Sequence, residues 1–407
     1  MPFTLNQQIG TNWYGNVWLA LASIAYTDDR SAYIKNVYTD LPARVAAMAQ
    51  MPDPNNASAT VAGTWCTDWG PIVTGDNANL MYAASYRANG VPLFVVISIR
   101  GTDTSETYTP VGLITQLAQD LDVENMVTWQ DVLAANFGTT VPASPDPGVP
   151  AIANGSCAGL SDLLNMSAAL TSPFTAPNGA TTPAGSFPIQ VYVQWLTDNL
   201  PGIPIVITGH SLGGCLATVL STYFANLFKT ATIVPHPFAP PSAGNAAWAA
   251  LYQTTFANGG QVWWNTADIV PNAFQNIPAL GRTLPSSQAP ASLSNILYMW
   301  QAPYGGNLSI DILDAGAVEY YQNTVGATYV QLANTVSAVQ KLDGAYMQPV
   351  PSGGNKCSND WITQLMLQHF PPMYGYLIKN QLPNIPAFKT PPENNLLPNC
   401  TQPNGGA

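Results

Sequence analysis

Charge is the scarcest property of this 407-residue chain. Lys and Arg number 11, Asp and Glu 22, and together they make up 8% of the residues, well below the ~25% usual in soluble domains. The apolar share, 47%, is ordinary. Neutral polar residues, 36 prolines and 32 glycines stand where charge would be, not membrane-grade hydrophobicity. A disordered chain is excluded, because such chains are charge-rich and apolar-poor. With so few basic residues and a formal net charge of −11, no phosphate-neutralising face can form, and no nucleic-acid partner is expected. Long hydrophobic runs are also missing. The strongest, residues 91–99, is too short to cross a bilayer and contains Pro92, so no transmembrane anchoring is expected. Residues 1–10 lack the basic start and apolar stretch of a secretory leader. Two expectations follow, a mature chain carrying an added Met or a protein that is never exported.

Cysteine is sparse too. Cys66, Cys157, Cys215, Cys357 and Cys400 include no C-x-x-C pair and no Cys/His cluster, so no metal is expected. An odd count leaves at least one free thiol, and Cys215, inside a helix pattern, is the candidate. Cys357–Cys400 and, less firmly, Cys66–Cys157 are the expected bridges; five reduced thiols are the alternative.

What is present reads as alternating helix and strand. Residues 15–26 form a buried helix pattern. Residues 80–86 and 93–99 are strand-like, with Asn89-Gly90 between them as a hairpin turn. Residues 160–170 and 192–199 are helical candidates, and 171–188 is a loop. Residues 203–208 (IPIVIT) form a continuous apolar run of the kind found in a central parallel strand. Residues 212–228 follow with Leu212, Leu216, Val219, Leu220, Tyr223, Phe224 and Leu227 on one helical face. Residues 232–234 and 261–265 are the next strands. This order predicts an α/β fold with a mostly parallel sheet flanked by helices.

The strand–helix junction at 208–212 carries Gly209-His210-Ser211-Leu212-Gly213, a G-x-S-x-G motif. The pattern alone is weak in a glycine-rich chain; its position between an apolar strand and an amphipathic helix is what gives it weight. Such a turn exposes the Ser211 side chain at the strand's carboxyl end, over a helix N-terminus that favours developing negative charge. Serine needs a base to take its proton, and histidine is the usual one. There are only three histidines. His210 adjoins the serine and should point away from it. His236, between prolines, reads as a packing residue. His369 follows everything else and alone leaves room for the Ser, acid, His order of α/β-hydrolases. For the acid, Asp268 follows a strand-like segment and precedes Pro271; Asp311, Asp314, Asp343 and Asp360 remain competitors.

Acyl transfer also needs N–H donors for the oxyanion. Leu212 supplies one, and Thr102, after the strand ending at 99, is the candidate for the second. Residues 104–156 begin with Val111, Ile114, Leu117, Ala118 and Leu121 at helical spacing and end in the breaker-rich VPASPDPGVP. They read as a flap over the site.

The motifs SIRGT (98–102), AGLSD (158–162), ITGHSLGG (207–214), PFAPPSAGN (237–245), NTADIVP (265–271) and QHF…Y (368–374) resemble the class 3, fungal-type lipase family of α/β-hydrolases, in that family's order. The resemblance implies a hydrolase core with a mobile lid between the SIRGT strand and the segment before the nucleophile strand; the long flap at 104–156, an insertion at 279–360 and a surface-wrapping tail at 381–407 depart from the family's pattern within a single domain over 1–407. It implies Ser211 as nucleophile, Asp268 as orienting acid, His369 as base, and Thr102 with Leu212 as the oxyanion hole. It further implies a triacylglycerol or other carboxylic-ester substrate; the hydrolytic mechanism needs no cofactor, and the sparse charge suits an oil–water interface and action outside the cell. An esterase, phospholipase or polyester hydrolase with the same triad is the nearest alternative. A non-catalytic lipid-binding protein on this scaffold is the alternative of a different class.

Overall fold

The computed structural model describes residues 8–26, 37–74, 79–101, 122–123, 125–142, 146, 148–265, 268, 270–272, 329–332, 339–342 and 369–381. Its main sheet has seven strands: β1 (Thr64–Val73), β2 (Leu80–Ala88), β3 (Val91–Ile99), β4 (Pro204–His210), β5 (Thr232–Phe238), β6 (Val262–Asn265) and β7 (Val339–Leu342). The spatial order is β7-β6-β5-β4-β3-β2-β1. The first three strands form an antiparallel meander, and every pair from β3 to β7 is parallel. The Asn89-Gly90 turn closes the β2–β3 hairpin, both residues having positive φ, as a tight hairpin turn requires.

Helices cover both faces. Along β3, Val95, Ile97 and Ile99 point to one core, and Phe94 and Val96 to the other, the two-residue period of a strand buried on both sides. In β4, Ile205 and Ile207 share the first core and Val206 the second. The first face is packed by α3 (Asn154–Asn165), α4 (Ile189–Asn199), α5 (Leu212–Leu227) and α6 (Ala246–Thr255). The second is packed by α1 (Gly15–Ile24), α2 (Val37–Ala46) and α7 (Pro371–Gln381). Helix α1 is apolar on nearly every side and correspondingly buried along its length.

Several boundaries differ from the sequence expectation for physical reasons. The helix expected at 160–170 lies at 154–165. Asn154-Gly155 looks like a turn, but Gly155, Ser156 and Cys157 are buried in the core, and packing overrides local preference. Strand β5 runs on through Pro235 and Pro237 to Phe238. It meets β6 only at the Phe238–Trp263 pair, so the ladder bonds that proline cannot give are not demanded along most of that edge. The Cys66–Cys157 bridge is not formed. Cys66 lies in β1 and Cys157 inside α3, and both are free thiols, as is Cys215. No disulfide is present among the described residues; Cys357 and Cys400 lie outside them.

The region expected to be a flap divides in two. Residues 104–121 lie outside the described residues. Beyond them, Asn125–Thr128, Val141–Pro142 and Ala151–Ala153 form a small antiparallel sheet, and Met126, Val127, Trp129, Val132 and Ile152 are buried in the first core. Of 279–360, only 329–332 and 339–342 are described, and of 381–407 only residue 381. No described helix is long and apolar enough to cross a membrane.

His236 is fully buried in β5, with its Nε2 2.7 Å from the Ile9 carbonyl, to which it must donate. Burial pushes its pKa down from 6.5 to about 3. The folded ring is therefore neutral where the unfolded one takes a proton. This contribution to stability is complete above about pH 6.5 and is lost as pH falls toward 3. Buried His210, also held neutral, acts in the same direction. The expected result is that His236→Gln loses about 2 kcal/mol less stability than the parent between pH 6.5 and 4.5. Denaturant titrations of both proteins at the two pH values measure it.

Candidate active site

The parallel strands end together, and the site is built where they end. Strand β4 stops at His210, and Ser211 makes the turn into α5 with φ 61° and ψ −129°. Such a backbone in a non-glycine residue costs of order 1–3 kcal/mol and persists only where the surroundings enforce it. Here Ser211 N–H donates to the Phe238 carbonyl (3.0 Å), and Cys215 N–H donates to the Ser211 carbonyl (3.0 Å). The crowding needs glycine at 213: a Cβ there would lie 2.3 Å from the Ile99 carbonyl oxygen.

Asp268 lies three residues beyond β6 and is fully buried. Its Oδ1 accepts from Val270 N–H (3.0 Å), a local turn that fixes the carboxylate. Its Oδ2 lies 2.8 Å from His369 Nδ1 and also accepts from the Tyr374 hydroxyl at 2.8 Å. Tyr374 accepts in turn from Asn265 N–H (3.0 Å), so the phenol bridges strand end and acid. Burial, reinforced by the Asp268 charge, holds the Tyr374 pKa well above 10, which keeps it a donor. On the far side of the His369 ring, Nε2 lies 2.9 Å from Ser211 Oγ.

The structure thus brings Ser211, His369 and Asp268 into one hydrogen-bonded line, though Ser211 and Asp268 are 57 residues apart and Asp268 and His369 101. Because Nδ1 faces a carboxylate, it carries the proton, leaving Nε2 able to accept from Ser211. Leu212 is the first residue of α5, so its N–H belongs to the helix's N-terminal set beside Ser211. Thr102 lies outside the described residues, as do Asp311, Asp314, Asp343 and Asp360. The preceding Gly101 is described, and it abuts the elbow: a Cβ there would come 2.6 Å from the His210 carbonyl and 3.1 Å from Ser211 Cβ.

Two side chains of the site had no assigned role in the sequence. The signal for Tyr374 was its place in the QHF…Y motif; its bond to Asp268 needs the turn of α7 to appear. Tyr26, at the end of the buried N-terminal helix, reaches His210 (3.1 Å to Nδ1) across 184 residues, and no local pattern announces it.

Residues 184–277, which span the elbow and Asp268, match the profile of the class 3 lipases. Among solved structures, the M37 lipase is similar at 19% identity and a TM-score of 0.56, with 94% of each chain covered. Lipase II from Rhizopus niveus is 16% identical, with a TM-score of 0.40, over 65% of this chain and 77% of that one. The nonglycosylated LIP2 lipase of Yarrowia lipolytica is 15% identical, with a TM-score of 0.39, over 64% and 73%. No curated protein sequence matches the chain. A mostly parallel sheet with a strand–serine–helix elbow, covered by helices on both faces, is the α/β-hydrolase fold. Within that fold, residues 184–277 are similar to the class 3 lipases.

Proposed function

We propose that the chain hydrolyses carboxylic esters, foremost triacylglycerols, through an acyl-enzyme on Ser211. The observation that carries this reading is the line Ser211 Oγ–His369 Nε2–His369 Nδ1–Asp268 Oδ2, with heavy-atom distances of 2.9 and 2.8 Å at its two hydrogen bonds. His369 takes the Ser211 proton as Oγ attacks the ester carbonyl. The imidazolium is stabilised by Asp268, which the Tyr374 hydroxyl and Val270 N–H hold in place. The oxyanion is received by Leu212 N–H and, from the segment after Gly101, by Thr102. His369 then protonates the departing alcohol. In the second half it activates water, which releases the fatty acid and restores Ser211.

The preference for a lipid ester draws on the class 3 match and on the sparse charge, since few groups need be stripped of water against a neutral lipid surface. The same feature supports work outside the cell. The test is an ester panel of increasing acyl length, measured below and above each substrate's solubility limit. The expected result is hydrolysis throughout, with the highest rates on emulsified long-chain glycerides. Activity confined to short soluble esters would replace the lipase reading by an esterase.

A further inference from the structure

His210 sits beside the triad and has no step in the mechanism above. Its ring is 1% exposed and lies against that of His369, centroid to centroid 4.7 Å at 42°. Its Nε2 is 2.7 Å from the backbone carbonyl oxygen of His369 itself. A carbonyl only accepts, so Nε2 must carry the proton. Nδ1 is then an acceptor, and the Tyr26 hydroxyl stands 3.1 Å from it and 3.1 Å from the His210 carbonyl. Burial and the neighbouring His369 both keep the His210 ring neutral, as this tautomer requires.

We infer that His210 is a positioning residue for the base: by donating Nε2–H to the His369 carbonyl it pins the backbone of the residue whose side chain must meet Ser211 and Asp268. The inference rests on the triad reading above. His369 lies just before α7, whose first residues are Pro371 and Pro372. His369 would otherwise be held at its Nδ1 and Nε2 ends by the two partners it must serve. The pin comes from the residue directly before the nucleophile, so nucleophile and base are registered to each other through one hydrogen bond. A 1 Å misplacement in such a site is worth on the order of 10²-fold in rate.

The experiment compares His210→Phe, which keeps a ring in the same packing but has no donor, with His210→Gln, whose Nε2 is the same number of bonds from the backbone as the imidazole Nε2. Each protein is titrated with a p-nitrophenyl phosphonate to count active sites, and kcat and KM are taken per active site on a soluble ester. H210F is expected to keep a titre near one per chain and a KM close to the parent's, with kcat reduced about 10- to 100-fold. H210Q is expected to recover most of kcat. Parental kcat in H210F, or equal losses in both variants, overturns the inference. Failure of the parent itself to titrate at Ser211 instead overturns the triad reading. The parent also supplies a measurement that no folding failure can remove. With three histidines in the chain, ¹⁵N-imidazole spectra are expected to show His210 as the Nε2–H tautomer with a slowly exchanging proton; the Nδ1–H tautomer would overturn the pin.

Discussion

Ser211→Ala is expected to lower kcat/KM for ester hydrolysis by about 10⁵-fold or more while leaving the folded protein intact. The loss is large because the nucleophile, its base and the orienting acid act as one unit. Without Oγ, His369 Nε2 has no hydroxyl proton to take, and only direct attack by water remains. That residual route still has oxyanion donors and bound substrate, so the rate stays above the uncatalysed one. The fold is spared for equally concrete reasons. The Ser211 side chain makes its hydrogen bond to His369, whereas the elbow is held by backbone bonds, Ser211 N–H to Phe238 and Cys215 N–H to Ser211. Alanine occupies the strained φ of 61° no less readily than serine. A circular-dichroism melt alongside the rate measurement separates the two effects. A variant with more than a hundredth of parental activity would contradict the assignment.

Asp268→Asn is expected to cost about 10⁴-fold in kcat with little change in KM. Asparagine has nearly the same shape, so the effect comes from charge and proton placement. The carboxylate accepts at Oδ2 from both His369 Nδ1–H and the Tyr374 hydroxyl, and at Oδ1 from Val270 N–H. An amide has only one accepting oxygen. If that oxygen faces Val270, the NH₂ group is turned toward His369 and Tyr374, and the imidazole is driven to the tautomer with its proton on Nε2. That proton then opposes deprotonation of Ser211. If the oxygen faces His369 instead, Val270 N–H is left buried against a donor, and the charge that stabilises the imidazolium is gone in either case. Single-turnover kinetics on an activated ester measure the acylation step directly. A loss confined to KM would mean that Asp268 shapes the substrate site rather than the base.

Much of this site was legible in the sequence because its parts are coded locally. A continuous apolar strand, a serine between small residues and an amphipathic helix are adjacent in the chain; His369 follows from order and elimination among three histidines, and Asp268 from its place after a strand, with four other aspartates left open. The parts that were hard to read depend on what meets across the fold. His210 was expected to turn away from Ser211 as a core or hydrogen-bonded histidine, and it is buried and hydrogen-bonded, but its partner could not be read. In the structure its ring lies on His369 and bonds the His369 backbone, a contact across 159 residues. Cys66 and Cys157 were paired because unpaired cysteines invite pairing, but sequence cannot show that one lies in an edge strand and the other inside a core-facing helix. Helix α3 begins six residues before its expected start because Gly155 and Ser156 are drawn into the core. Arg87 and Asp68 form a buried pair that no local pattern announces, with the Arg87 guanidinium over the Phe174 ring and Tyr192 donating to Asp68 (2.7 Å).

Covalent labelling tests Ser211 as the proposed nucleophile most directly. The protein is treated with a p-nitrophenyl alkylphosphonate, digested, and the modified peptide sequenced by mass spectrometry. One phosphonyl group per chain on Ser211, with release of one equivalent of nitrophenol and parallel loss of esterase activity, is the predicted result. A label on another residue, or full esterase activity after Ser211 is labelled, would contradict it.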